Sequence, residues 1–400
     1  MTEHFGRNKN GANGPRPLDR ARALGPLLDA AVDDIERERE LPRRVVDALI
    51  DAGMFRLLQP LSLGGEEMQP ADYLDVVEEV ASHDASVAWC VGQGCGCTMS
   101  AAYLLPEVAR TIFGPRDGIV AWGPPGPAKA VTVPGGFRLT GNWSFASGSH
   151  HATWLGAHVS VFTGNGAPLM RDDGSAIMRT LLFPKSQAKM TDIWHVLGLK
   201  GTGSDNYSVE DLFVADDFTI DRDPSNHPRE NGTLYRFSHS NVYAAAFAGV
   251  ALGVARNVLA SFIELARDKT PRGAKLTMRN NNVIQSQVAQ SAARLDSARR
   301  YVKGVLEDCW DHVSCAGALT LEQNATLRLA TTWAMHQGRD VVDVLYQAAG
   351  ATAIFNVNPF ERRFRDMHTI VQQMQARQTH FETVGRIMMG LPPDATMFTF

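Results

Sequence analysis

The chain has 400 residues, 44% hydrophobic and 20% charged, enough for one large unit or two to three domains with an ordinary globular core. A net charge of −4 offers little attraction for nucleic acid or an anionic membrane surface, and no uninterrupted apolar run reaches the roughly 20 residues that span a bilayer. Five cysteines, Cys90, Cys95, Cys97, Cys309 and Cys315, stand at no familiar disulfide or zinc spacing, which fits a reducing, cytoplasmic setting and small core side chains rather than a metal site.

Residues 1–17 are polar, rich in Gly and Asn, and without the apolar stretch of a secretory signal, so they read as a flexible tail. Residues 18–114 read as helical. Leu18 to about Glu40 is amphipathic. "LPRRVVDALIDAG" starts a second helix at Pro42 and stops it at Gly53. "PADYLDVVEEVASHDASVAW" sets Tyr73, Leu74, Val76, Val77 and Val80 at helical spacing and runs on through "VGQGCGCTMSAAYLL". Over 115–232, Gly and Pro punctuate short runs rich in Val, Thr, Phe and Trp, which predicts strands in a compact antiparallel barrel or sandwich. Over 233–400, apolar-periodic segments near 238–268, 283–315, 320–349 and 358–390 predict a four-helix bundle.

"NWSFASGSHHATW", Asn142–Trp154, concentrates the chemistry. No G-x-G-x-x-G opens a helix after a strand, no Walker loop is present, and no G-x-S-x-G elbow supports a serine nucleophile. His150 and His151 are adjacent, so on a strand they face apart and cannot easily share a metal. An aromatic, hydroxyl-rich strand with glycines suits a planar heterocycle, with Trp143, Phe145 and Ser147 on one face by period two. A barrel core with a satisfied serine is the other reading of the same pattern.

Four segments, "LPRRVVDALIDAGMFRLLQPLSLGG", "GNWSFASGSHHATW", "WHVLGLKGTGSDNYSVEDLFV" and "QAAGATAIFNVNPFERRFRDMHT", jointly carry a resemblance. Through them the chain resembles the acyl-CoA dehydrogenase superfamily over nearly its whole length. Within it, the chain is most similar to the two-component, reduced-flavin-dependent (group D) monooxygenases. The resemblance implies a mainly α fold with a β-domain: an N-terminal helical domain (18–114), a middle β-domain (115–232) and a C-terminal four-helix bundle (233–400). It also implies a homotetramer with flavin held between the β-domain and helices, some from a neighbouring subunit. Ser147 matches the residue that bonds flavin N5 and Phe145 the aromatic before it, with Trp143 and Gly148 beside them. Thr202, Gly203 and Ser204 resemble the second flavin-contacting turn. Arg279, in a helix connection, reads either as a phosphate partner for the adjacent subunit's flavin or as a solvated base.

The implied activity is that of an oxygenase component. A separate reductase supplies reduced flavin, FMNH2 or FADH2. Oxygen adds to it as a C4a-hydroperoxide, and one oxygen passes to a small aromatic, heteroaromatic or amine substrate. The alternative is an acyl-CoA dehydrogenase-like FAD enzyme. It needs a glutamate base, and the matching stretch "HTIVQQMQARQTHF" has none. Related phenol hydroxylases carry a histidine where this chain has Gln373. An amide orients a partner but takes no proton at neutral pH. His151, then His368 and His195, are the remaining acid/base candidates, and a substrate that needs no prior deprotonation is expected. Gln93, Cys97, Trp122 and Trp194 are the expected substrate wall. No metal is expected.

Overall fold

The computed structural model describes residues 14–221 and 227–394, so most of the predicted N-terminal tail lies outside the described residues. Five helices lead: α1 (Pro17–Glu38), α2 (Arg43–Asp51), α3 (Pro70–His83), α4 (Ala85–Thr98) and α5 (Pro106–Phe113). On α1, Ala21, Leu24, Leu28, Ala31 and Ile35 recur every three or four residues and are all buried, the stripe that turns an amphipathic helix inward. Gly53, at φ 69°, lies just past α2 in the left-handed conformation expected of it. The periodic run after Pro70 is two helices, not one. Asp84 is extended, and its carboxylate accepts the Val87 N–H at 3.0 Å, ending α3 and capping α4.

The middle segment holds β1 (Val120–Ala121), β2 (Ala128–Val133), β3 (Gly136–Ala146), β4 (Trp154–Phe162), β5 (Met178–Pro184), β6 (Lys189–Thr191), β7 (Asp205–Ala215) and β8 (Thr219–Asp221). Their order is β6-β7-β3-β2-β4-β5-β8, with β1 against β4. The expected antiparallel barrel or sandwich is corrected to a mixed sheet: β2–β4 and β1–β4 are parallel. After the β2–β3 hairpin the chain crosses through residues 147–153 to the far side of β2, so β4 runs in the direction of β2.

The last segment is α6 (His239–Asp268), α7 (Asn282–Ala316), α8 (Leu321–Ala349), α9 (Pro359–Ile370) and α10 (Thr379–Met388). α6 is long and apolar enough to cross a membrane, yet 67% of its most apolar window is buried against its neighbours, as suits the central helix of the bundle. It lies close along α3. A Cβ at Gly253 would stand 2.3 Å from the Glu78 carbonyl oxygen, and one at Gly249 would stand 3.0 Å from that of Leu74. The fourth predicted bundle segment is broken between α9 and α10 by a turn carrying Gln373. The buried Arg328 of α8 holds that turn, donating to the Gln375 side chain and to Ser240 Oγ at 2.7 Å.

Candidate functional site

The end of β3 is irregular where the sequence is richest in chemistry. Its pairing with β7 slips between Trp143 and Ala146, and Phe145 takes φ 62°, a left-handed backbone that bulky residues rarely adopt. The bulge breaks the period of two. Trp143, expected on one face with Phe145, is instead buried in the sheet. It stacks on Tyr207 at 5.2 Å and donates its indole N–H to the His158 carbonyl at 3.1 Å. Phe145 is thrown outward, 59% exposed, with Trp194 edge-on at 6.1 Å. An exposed aromatic on a strained strand end beside a second aromatic forms an apolar platform for a flat ring.

Ser147 follows, and its hydroxyl sits in a row of buried polar groups. The Trp89 indole N–H of α4 donates to Ser147 Oγ at 3.1 Å. Ser147 Oγ lies 2.6 Å from Ser204 Oγ, which lies 2.8 Å from Thr202 Oγ1, and Thr202 donates to the Leu199 carbonyl at 2.9 Å. The Thr202 and Ser204 side chains, expected against a cofactor, are fully buried and turned toward Ser147. The turn that brings them there has Leu199 and Gly203 both left-handed, at φ 53° and 49°. Asp205 secures it by accepting the Ile193 and Trp194 N–H groups, while His150 sits between Asp205, at 2.7 Å, and Glu40.

From Trp89 an aromatic line runs into the helices. Trp89 stacks on Phe247 of α6 at 3.9 Å, and Phe247 stacks on Tyr243 at 5.9 Å. The Gln93 amide, one turn beyond Trp89 on α4, donates to the Tyr243 hydroxyl and to the Trp122 carbonyl, each at 3.4 Å. Cys97 Sγ is 3.5 Å from the same hydroxyl. Gln93, Cys97 and Trp122 are therefore gathered at one end, and Trp194 joins the platform at the other. Trp89, Tyr243 and Phe247 escaped the sequence reading. Their i, i+4 spacing with Gln93 and with each other was its only local signal.

The acid/base candidates fall elsewhere. His151 is half-buried, its ring 5.3 Å from Phe55 and beneath Gly148, which is left-handed at φ 80°. Burial, with His150 and Lys185 nearby, pushes its pKa down to about 3, so the ring is neutral at physiological pH. His368 faces the bundle, 2.8 Å from Asp343 and 4.3 Å from the Phe364 ring, with no contact to the Ser147 row. His195 is exposed beside Arg39 and Asp192. The Gln373 side chain is engaged in its own turn: its oxygen accepts the Gln375 N–H at 2.6 Å and its amide meets Met335 Sδ at 3.5 Å. Arg279 is exposed in the α6–α7 connection. Two surface clefts, of about 220 and 330 Å³, lie apart from Ser147; the larger borders the Gln373 turn through Gln372, Ala376 and Gln378. Among the described residues no group of His, Cys, Asp and Glu could hold a metal.

Two stretches of the chain match the sequence profiles of a known family. The profile for the acyl-CoA dehydrogenase N-terminal domain matches residues 27–107 and that for the C-terminal domain residues 245–378. Indole-3-acetate monooxygenase of Pseudomonas putida is 28% identical over 382 residues, which cover 93% of this chain and 96% of that protein. The flavin-dependent monooxygenase oxygenase subunit HsaA of Mycobacterium tuberculosis is 26% identical over 402 residues, 96% of this chain and 95% of that protein. XiaF from Streptomyces sp., solved in complex with FADH2 and glycerol, shares the fold at a TM-score of 0.87 and 24% identity, over 95% of this chain and 96% of that one.

Proposed function

The chain belongs to the acyl-CoA dehydrogenase superfamily, and we propose that it is the oxygenase component of a two-component flavin-dependent monooxygenase acting on a small aromatic or heteroaromatic substrate. The observation that carries this is the bulged end of β3. An outward Phe145, a left-handed Gly148 and a Ser147 hydroxyl held by Trp89 stand together there, a combination that fits the edge and face of an isoalloxazine ring. The flavin-dependent relatives, aligned over nearly the full chain, support the same reading over a dehydrogenase.

When bound, reduced flavin supplies the electrons that activate O2 for transfer of one oxygen atom. The chain's own residues do the rest. Phe145 and Trp194 cover a ring face and keep water from it. Ser147 would hold the N5 edge of the bound flavin. Trp89, Phe247, Tyr243, Gln93 and Cys97 form the wall on which the substrate lies, with Gln93 and Tyr243 as its polar contacts. Gln373 takes no proton at neutral pH and its side chain is held in its own turn, so electron-rich rings that react without losing a proton first are the preferred substrates. His151 contributes a neutral imidazole.

A separate reductase delivers the flavin, as FMN or FAD. The functional unit is a homotetramer, in which Arg279 serves the flavin phosphate of a neighbouring copy. Exposed Leu276 and Val283 on either side of Arg279, at 64% and 65%, form an apolar surface suited to such a contact. Free, mostly buried thiols fit a cytoplasmic protein.

The test is anaerobic mixing of the purified chain with reduced FMN or FAD, followed by isotopically labelled O2 and a panel of indoles, phenols and amines. A product carrying one labelled oxygen atom is expected. Anaerobic oxidation of an acyl thioester with an electron acceptor, without label incorporation, would overturn the reading.

A further inference from the structure

The hydroxyl row behind Ser147 has a direction, and proton counting reveals it. A serine or threonine hydroxyl has one proton to give and two lone pairs to receive. An indole N–H can only donate, and a carbonyl oxygen can only accept. At one end, the Trp89 indole therefore gives its proton to Ser147 Oγ, 3.1 Å away. At the other, the 2.9 Å separation of Thr202 Oγ1 from the Leu199 carbonyl is attractive only if Thr202 donates there, which uses its single proton. The 2.8 Å contact between Thr202 and Ser204 must then be donated by Ser204. With that proton used, the 2.6 Å contact between Ser204 and Ser147 must be donated by Ser147. Ser147 Oγ is left with no proton to offer and one lone pair.

We propose that this row makes Ser147 an obligate acceptor toward the flavin and so selects the reduced cofactor. Reduced flavin carries a hydrogen on N5, while oxidised flavin presents a lone pair there. The first completes a hydrogen bond with Ser147 and the second faces lone pair against lone pair. The inference rests on the flavin reading above, with Ser147 at N5, and deepens it. Thr202 and Ser204 become positioning residues whose effect reaches the cofactor through Ser147. The physical gain is turnover: an oxygenase fed by a separate reductase must take reduced flavin and let the oxidised form go.

Binding of reduced and oxidised FMN and FAD to the full-length chain, measured anaerobically by ultrafiltration, tests this. The wild type should hold the reduced form more tightly. Thr202→Val releases the Ser204 proton toward Ser147 and the Ser147 proton toward N5. It should tighten oxidised flavin and lower the reduced-to-oxidised affinity ratio roughly tenfold, the worth of one hydrogen bond. Ser204→Ala should do the same by a different cut, and serves if the first variant folds poorly. Thr202→Ser, which keeps the row, should keep the wild-type ratio. Tighter oxidised flavin is a gain that mere loosening of the turn would not produce. An unchanged ratio in folded Thr202→Val and Ser204→Ala would overturn the proposal and leave the flavin site standing. A wild type that binds neither redox form would overturn the flavin reading and the proposal with it.

Discussion

At the scale of single residues, a side chain's chemistry here depends on what already occupies its atoms. Ser147 and His151 are four positions apart, yet one is held in a polar row and the other is pressed beneath Gly148 against Phe55. With its pKa near 3, His151 carries no charge between about pH 5 and 8 and has no titration to lend to catalysis in that range. His151→Asn should therefore leave the shape of the pH–rate profile over that range unchanged, whatever it does to the height. Loss of an inflection in the variant would show that His151 titrates during turnover. Ser147 was legible in the sequence as a hydroxyl in a strand motif. Its partner Trp89 was not, because 58 residues separate them and no local pattern marks the pair.

At the scale of elements, periodicity foretold the helices well and the strands less well. The alternation that placed Trp143 and Phe145 together fails because one slipped residue in β3 reverses every later side chain. The long predicted helices break at Asp84 and around Gln373, where a side chain supplies a cap that competes with helix propagation. The Ala- and Gly-rich stretch of α6 permits close contacts, and α3 makes them. Gly253→Ala should lower the unfolding free energy in urea by about 1–3 kcal/mol, since its methyl group meets the Glu78 carbonyl. Gly304→Ala is the matched control: nothing lies within 4 Å of the added methyl, so the variant should gain up to about 1 kcal/mol from helix propensity alone. Equal effects at the two sites would refute the close packing of α6 on α3.

At the scale of the whole molecule, burial makes the fold sensitive to acid. Unfolded histidines protonate near pH 6.5, whereas burial lowers His151 to about 3, His380 to about 4, and His336 in the same direction. Below pH 6.5 the unfolded chain thus binds more protons than the folded one, and stability is lost as pH falls through that window toward 3–4. Asp366 opposes this. Burial raises its carboxyl from 3.8 to about 6, so between those values the folded state holds the extra proton. Asp366 should therefore make the decline below pH 6.5 shallower than the histidines alone would give, without reversing it. Urea unfolding at stepped pH should show it, and His380→Gln should flatten it. A stability that stays level from pH 7 to 5 would contradict these buried neutral histidines.

Local chemistry in the chain was enough to determine the succession of helices, strands and helices, the turn at Gly53, the family resemblance and the motif around Ser147. Those depend on the spacing of apolar side chains and on short-range turn preferences, which are written in consecutive residues. Only the tertiary structure decided that the sheet is mixed, that Trp143 turns inward while Phe145 turns out, and that His368 packs against Asp343 and Phe364. It alone brought Trp89, Ser147, Ser204, Thr202 and Leu199 into one row. The direction of a hydrogen-bonded row is a property of all its members together, and these lie on three segments that meet only after the chain has folded.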